Sequence, residues 1–332
     1  MDQKVKVLFI SPEFFQYINA IIDELKSNDV EVTYFKWWPP LGVFKKYFFK
    51  KNEKKRKRIM DKYLDEILEK TKDENFNLIF LCSTIYFTRE QTKRLLDAFP
   101  SATKIFFMWD TIANYPITET YLDLFDKFYS FDKTDCAKYN LIYRPTFYDP
   151  ALLEKEPVKM EKDIDLMFLG SVDGYRYKVI KQVEEYCKNN GVSYRFCMVF
   201  KSKLIYHLAK LLYKEMRHAK KSEFIFTPIK GKEKVELFAR SKAMLDIPRE
   251  HQNGLAMRSI EAPMMGLKLV TNQEAIKLYN IYNVNNVAIF NNNDYSAINK
   301  DFFDSKFEEL DKKVKEEYSV RQFVKTLIIQ NL

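Results

Sequence analysis

Short apolar runs alternate with amphipathic segments along the whole chain, and this order constrains the fold more than any other feature. Residues 4–10 (KVKVLFI) predict a buried strand, 15–27 follow with helical spacing, and 30–35 predict a second strand. A strand, a helix and a strand in succession are typical of a parallel sheet. The pattern stops at a charged, proline-containing stretch, 154–163, and then restarts at 165–169. We therefore predict two consecutive α/β domains of similar size.

The placement of ligands follows from this organisation. Parallel α/β sheets bind ligands outside the carboxyl ends of their strands, and a cleft between two domains is the usual site. Only seven glycines occur in the 332 residues, and they spell neither common glycine-rich phosphate loop. The four cysteines form no C-x-x-C pair, which disfavours a structural zinc site. No stretch predicts a signal peptide or a membrane span, so we expect a cytoplasmic protein.

The densest candidate site is DIPREHQNGLAMRSIEAPMMGLKLVT at 246–271, where a strand, a polar loop and a helix follow one another. A helix starting near Leu255 would offer backbone N–H groups to an anion. Gly254 would allow close approach, and Asn253 is a candidate cap. Arg258 lies in the first turn, where the helix dipole disfavours a cation, so a diphosphate would explain it. Glu261 follows on the same face and suits ribose hydroxyls; the alternative is a solvated Arg258–Glu261 pair.

A second candidate site is FLGSVDGYR at 168–176, the first strand, turn and helix of the second half. Gly170, Ser171 and Arg176 make a plausible turn facing a phosphate. The alternative is an ordinary turn between a strand and a helix.

These residues carry a resemblance to a known family. The stretches SKAMLDI, HQNGLAMRSIEA, GLKLVTN and YNIYNVNNV, together with FMWD and FDKFYSFDKTDCAKYN in the first half, resemble CgeB-like glycosyltransferases of bacterial polysaccharide biosynthesis. The resemblance covers nearly the whole chain. It implies the GT-B architecture, in which two Rossmann-like domains face each other across a cleft. The domains would be 1–150 on the acceptor side and 151–310 for the nucleotide-sugar, with helices at 311–332 packing back toward the first.

The resemblance also implies roles for the candidate residues. Glu261 would hold the ribose, and Arg258 with the backbone at 253–255 would meet the diphosphate. Gly170, Ser171 and Arg176 would lie opposite, and no metal or other cofactor would be needed. The chain departs from the wider pattern at two positions: Asn253 stands where a first glutamate is frequent, and Ala256 stands in place of a threonine.

A catalytic base is harder to assign from the sequence. Inverting glycosyl transfer needs a group that takes the acceptor's proton, whereas retaining transfer does not. Asp110 at a predicted strand end is preferred, with Glu13 in the first loop after a strand and His251 as alternatives. Asp110 could instead cap the following helix.

Basic segments form the last feature. Cations interleaved with aromatic residues in the first half are typical of contact with an anionic bilayer or a lipid-linked acceptor; they include Lys45, Lys46, Lys50, Lys51, Arg56 and Arg58. A basic amphipathic helix is predicted at 201–221, and a solvated charge run is the alternative for both. No nucleic-acid recognition motif is present.

The residues and the resemblance together predict a glycosyltransferase that takes a sugar from a nucleotide donor. Its acceptor would be a cell-surface polysaccharide or lipopolysaccharide precursor. The alternative is a protein that keeps the fold and binds nucleotide or glycan without turnover.

Overall fold

A computed structural model describes residues 4–13, 15–41, 49, 52–83, 86–148, 160–200, 202–227, 229, 231–249, 252–291 and 293–332. The chain divides into two compact units. The first comprises Met1–Asp149 and Glu317–Leu332, and the second comprises Pro150–Glu316. No helix within these described ranges is long and apolar enough to cross a membrane.

The first unit is built on a six-stranded parallel sheet in the order β2-β1-β3-β4-β5-β6. Its strands are β1 (Lys6–Ser11), β2 (Glu31–Lys36), β3 (Leu78–Cys82), β4 (Thr103–Met108), β5 (Lys127–Ser130) and β6 (Ile142–Tyr143). Its helices are α1 (Phe15–Ser27), α2 (Glu53–Thr71), α3 (Arg89–Asp97) and α4 (Lys133–Tyr139), joined by a C-terminal helix described below. The central strand β3 is LIFLC and fully buried, as expected when helices cover both faces of a parallel sheet.

The second unit repeats this plan, with the strand order β12-β11-β10-β7-β8-β9. Its strands are β7 (Ile164–Ser171), β8 (Tyr194–Val199), β9 (Phe224–Ile225), β10 (Ser241–Asp246), β11 (Lys268–Thr271) and β12 (Val287–Ile289). Its helices are α5 (Gly174–Asn189), α6 (Lys203–Leu212), α7 (Gly231–Ala239), α8 (Met257–Met264), α9 (Lys300–Asp304) and α10 (Lys312–Glu317). Each sheet has its own hydrophobic core.

The last helix, α11 (Val320–Leu327), belongs to the first unit and packs there against α1. Its Phe323 is fully buried, with ring centroids 4.9 Å from Phe107 and 4.7 Å from Phe147. The Arg144 guanidinium donates to the Glu317 carbonyl at 2.7 Å, where the chain re-enters this unit. The core of the first unit is therefore assembled from both ends of the chain.

The predicted helix at 201–221 is wrong in its length. Helix α6 ends at Leu212, and short 3₁₀ turns follow at Lys214–Met216 and Lys221–Glu223. The reason is local: the Tyr206 hydroxyl donates to the Ala219 carbonyl at 2.8 Å, so residues after 213 fold back beside the helix. A basic amphipathic helix is present, but it has ten residues.

Candidate functional site

Three neighbouring strands of the second sheet bring the predicted site residues to one edge. Strands β7, β10 and β11 are adjacent and parallel, and they end at Ser171, Asp246 and Thr271. Because parallel strands present their carboxyl ends at the same edge, the loops that follow them meet there. This edge is the candidate site of the second unit.

Asp246 anchors this edge although it received no role in the sequence analysis. Its carboxylate is fully buried and accepts from Arg258 through Nε at 3.0 Å and Nη2 at 2.9 Å. The Ser259 hydroxyl donates to the other carboxylate oxygen. A buried carboxylate needs such partners, and together they fix the start of α8 against the end of β10.

The Arg258 side chain is held in place on two further sides. Its guanidinium lies over the Phe168 ring, 5.5 Å from the centroid. A Cβ atom placed on Gly170 would lie 2.6 Å from the Arg258 Nη1 atom, so any larger residue here would require this guanidinium to shift. Among the described residues Nη1 has no hydrogen-bond partner. Gly170 and Arg258 belong to separate sequence motifs, and the structure brings them into contact.

Arg176 adds a second cation, and this one is buried. It is 7% exposed, and its Nε donates to the Ile247 carbonyl at 2.8 Å, directly after β10. Burial lowers the pKa of Arg176 to about 10, and repulsion from Arg258 acts in the same direction. At neutral pH the guanidinium stays charged, and none of its terminal nitrogens has a partner among the described residues.

Charged groups of both signs meet at this edge. Asp246 and Asp173 favour the protonated form of Arg176, whereas Arg258 and the exposed Arg249 oppose it. The buried carboxylates of Asp246 and Glu261 lie in the same region, and Asp246 is paired with Arg258. Partly desolvated guanidinium nitrogens that have no partner among the described residues favour binding of an anion.

The start of helix α8 differs from the prediction. The helix begins at Met257, with Ala256 as N-cap and no side-chain capping bond, so the proposed cap at Asn253 is wrong. The preceding loop is held by its carbonyls instead: Tyr279 donates to the Asn253 carbonyl at 3.2 Å, and Gln273 donates to the Gly254 carbonyl at 3.2 Å. Leu255 is 2% exposed and anchors the loop in the core.

Glu261 lies one turn into α8 and is 3% exposed. Since Arg258 pairs with Asp246, the alternative of a solvated Arg258–Glu261 pair is wrong. Ser171 is exposed at the end of β7. The 170–176 segment carries both the glycine next to Arg258 and the buried Arg176.

Two amide side chains directly after β11 were not predicted as site residues. The Asn272 side-chain nitrogen donates to the Tyr175 hydroxyl at 2.9 Å, while its buried Oδ1 has no partner among the described residues. Gln273 is 5% exposed, and within the same part of the chain its Oε1 has no partner either. Both residues directly follow a strand that ends at the candidate edge, and that position was the signal available in the sequence.

The candidate bases of the first unit lie at the carboxyl edge of its own sheet. Asp110 follows β4, and its Oδ1 accepts from the Thr111 backbone at 2.8 Å and from the Asn114 side chain at 3.0 Å. Glu13 follows β1 and pairs with Lys36 at 2.5 Å. His251 lies outside the described residues.

The basic segment of the first unit is described in part. Arg58 is exposed in the second turn of α2 and Arg56 is half-buried, whereas Lys45, Lys46, Lys50 and Lys51 lie outside the described residues. Five consecutive cations occupy 54–58, near the helix N-terminus, where the dipole disfavours them. Within the described ranges no group of three His, Cys, Asp or Glu side chains is arranged to hold a metal ion.

No protein-family model matches this chain, and no curated protein matches it. Solved structures do match. HepE from Anabaena, in complex with UDP and glucose, is 10% identical with a TM-score of 0.59, covering 98% of this chain and 97% of that one. A glycosyltransferase from Rickettsia africae is 11% identical with a TM-score of 0.56, covering 99% and 94%.

A UDP-GlcNAc 2-epimerase from Neisseria meningitidis, bound to UDP-GlcNAc, matches equally well. It is 10% identical with a TM-score of 0.56, covering 98% of this chain and 99% of that one. At this level of identity the matches establish the fold. The predicted class, a two-domain α/β fold of the GT-B type, is confirmed.

Proposed function

We propose that the chain is a glycosyltransferase that binds a nucleotide-sugar at the carboxyl edge of its second sheet. The observation that carries this proposal is a pair of neighbouring arginines, buried Arg176 and Arg258, whose terminal nitrogens (Nη1 in Arg258) have no partner among the described residues. A diphosphate accepts hydrogen bonds from such guanidinium nitrogens and brings negative charge to them. Similar folds that carry UDP or UDP-sugars support the choice of a nucleotide donor.

Different residues bind different parts of the nucleotide-sugar donor. Arg258 Nη1, the terminal nitrogens of Arg176 and the backbone at 253–255 bind the diphosphate, close to Gly170 and Ser171. Buried Glu261 accepts from the ribose hydroxyls, as the resemblance implies. The amide oxygens of Asn272 and Gln273 are suited to accept from further hydroxyl groups of the donor, because they are buried and no described residue donates to them.

The transfer step is proposed as a displacement. The acceptor oxygen forms a bond to the anomeric carbon, the bond from that carbon to the phosphate oxygen breaks, and the nucleoside diphosphate leaves with the electron pair. The arginines stabilise the charge that develops on it. Asp110 of the first unit takes the acceptor's proton, with Glu13 and His251 as the other candidates; no metal is required.

The acceptor is a cell-surface polysaccharide or lipopolysaccharide precursor, handled by the first unit at the cytoplasmic face of the membrane. Its support is the resemblance together with the cations at 54–58, which are unfavourable at a helix N-terminus and favour an anionic partner.

A thermal-shift panel with UDP, GDP, CMP and dTDP tests the donor site. One nucleotide at about a hundred times its Kd should raise the Tm by roughly 5 °C or more. Glu261→Gln should reduce that shift, and EDTA should leave it unchanged. The proposal fails if no nucleotide stabilises the protein or if Glu261→Gln responds as the wild type does.

Turnover separates an enzyme from a binding protein. Asp110→Asn should abolish release of nucleoside diphosphate in the presence of acceptor while the nucleotide shift persists. If the wild type binds nucleotide but releases no nucleoside diphosphate from a nucleotide-sugar with any glycan acceptor, the protein is the non-catalytic alternative.

A UDP-sugar epimerase is the second candidate, because solved epimerases share this fold. An epimerase converts its substrate without an acceptor. Incubation with a UDP-sugar alone, followed by chromatography of the sugar, therefore distinguishes the two: a new isomer favours epimerisation, and an unchanged donor favours transfer.

A further inference from the structure

Helix α6 exposes an unusual number of aliphatic side chains. Five of its ten residues are exposed and apolar: Leu204 (61%), Ile205 (43%), Leu208 (40%), Leu211 (79%) and Leu212 (75%). Their spacing places them on one continuous arc of the helix. We call this arc the α6 apolar surface. Contiguous exposed apolar surface of this kind marks an interaction site in a soluble domain.

The helix is firmly attached to the second unit by its other side. Tyr206 (3% exposed) and Ala209 (5% exposed) face the core. The Tyr206 hydroxyl and the Lys210 ammonium both donate to the Ala219 carbonyl, at 2.8 and 3.0 Å. The Ser202 hydroxyl caps the first turn. The apolar arc is therefore presented by a well-anchored helix.

Cations lie beside this surface without carboxylate partners. Residues 203–223 contain six Lys or Arg but only two Glu. Among the described residues no carboxylate pairs with Lys203, Lys214, Arg217 or Lys221. Of the two glutamates, Glu223 is engaged by Lys181 at 2.8 Å, and Glu215 forms no ion pair with these cations within the described ranges. The surface thus combines exposed leucines with free positive charge.

We propose that the α6 apolar surface docks this protein onto an anionic lipid bilayer, with the helix lying in the plane of the interface. Leucine side chains enter the boundary between headgroups and acyl chains, while long basic side chains reach the phosphates. The charge argues against a second copy as the occupant, because two such surfaces would repel each other. Ten helical residues, about 15 Å, can lie on a bilayer but cannot span it.

The test is co-sedimentation with vesicles of phosphatidylglycerol or of phosphatidylcholine alone, at low and high salt. The wild type should bind the anionic vesicles and lose most of that binding at high salt. The double variant Leu211→Gln/Leu212→Gln should weaken partitioning by at least about tenfold. The control Val284→Gln removes an apolar side chain of similar exposure (70%) elsewhere in the unit and should change nothing.

A second variant tests the contribution of positive charge to vesicle binding. Lys214→Gln/Lys221→Gln should weaken partitioning by about tenfold and reduce its salt dependence. Circular dichroism and the Tm verify folding, which these exposed substitutions should preserve. The proposal is overturned if the wild type does not bind anionic vesicles at low salt. It is also overturned if the leucine variant binds them as well as the wild type does, which would place the contact elsewhere. A wild type that does not bind vesicles, but whose self-association or binding to an acidic protein is abolished by the leucine variant, would show that the surface has a different occupant.

Discussion

Replacing Arg176 with methionine tests whether its positive charge contributes to ligand binding at a cost in folding stability. Arg176 is 7% exposed, and burial with repulsion from Arg258 lowers its pKa to about 10. Since each pKa unit corresponds to about 1.4 kcal/mol, holding the charged Arg176 side chain in the folded protein without a ligand costs on the order of 3 kcal/mol. The lost hydrogen bond to the Ile247 carbonyl offsets about 1 to 2 kcal/mol of that.

The Arg176→Met protein should therefore be more stable than wild type by about 1 to 2 kcal/mol in the absence of ligand. Arginine is protonated in both the folded and unfolded states below pH 10, and a lowered pKa penalises the folded state only while the group is charged. The gain should thus be constant between about pH 6 and 9. Urea unfolding followed by circular dichroism measures it.

Nucleotide binding should move in the opposite direction. Loss of a charged donor should raise the Kd for UDP, or for whichever nucleotide the panel selects, by about ten- to a hundredfold. Lys178→Met is the matched control, because it removes an exposed cation two residues along the same helix. The reasoning is refuted if Arg176→Met destabilises the free protein by more than about 2 kcal/mol or binds nucleotide as tightly as wild type.

Three further substitutions test separate parts of the structure. Gly170→Ala places a methyl group 2.6 Å from the Arg258 Nη1 atom, so calorimetry should show about tenfold weaker nucleotide binding with little change in Tm; unchanged affinity would contradict the assigned contact. Glu261→Gln should weaken binding of the nucleotide by about tenfold. If wild type binds inorganic diphosphate as tightly as the nucleotide, Glu261 does not bind the ribose. Burial raises the pKa of Asp165, but hydrogen bonds including that from Lys242 (2.9 Å) outweigh it and leave the pKa lowered. The stability this carboxylate contributes is complete above the unfolded pKa of about 4 and is lost as the pH falls through the lower folded pKa, so Asp165→Asn should cost about 1 to 3 kcal/mol at pH 7 and less near pH 3.

The fold was predictable because its strands are continuous apolar runs. A segment such as LIFLC at β3 is buried on both faces, and its composition alone indicates a central strand. The alternation with helices then implies parallel sheets. Contacts after Leu212 were not predictable: the basic periodicity continues to residue 221, but a tertiary hydrogen bond from Tyr206 stops the helix early.

The residues of the candidate site could be selected from the sequence, but the contacts between them could not. Arg258 and Gly170 were selected for different reasons, and their contact depends on strand order, which spacing does not reveal. No role for Asp246 was predicted from the sequence, yet its buried carboxylate pairs with Arg258 and fixes where that side chain points. Ala256 has no capping side chain, so the true start of α8 carried no local signal.

The position of α11 bears on the order in which the molecule is made. The second unit is inserted between two pieces of the first, so a ribosome completes residues 150–316 before Phe323 exists to fill the space beside Phe107 and Phe147. Until then the first unit exposes apolar side chains that the finished protein buries, and Arg144 lacks the carbonyl of Glu317. The earlier-synthesised unit is thus the later one to mature, and a ribosome stalled before residue 317 would hold a finished second unit beside an unfinished first.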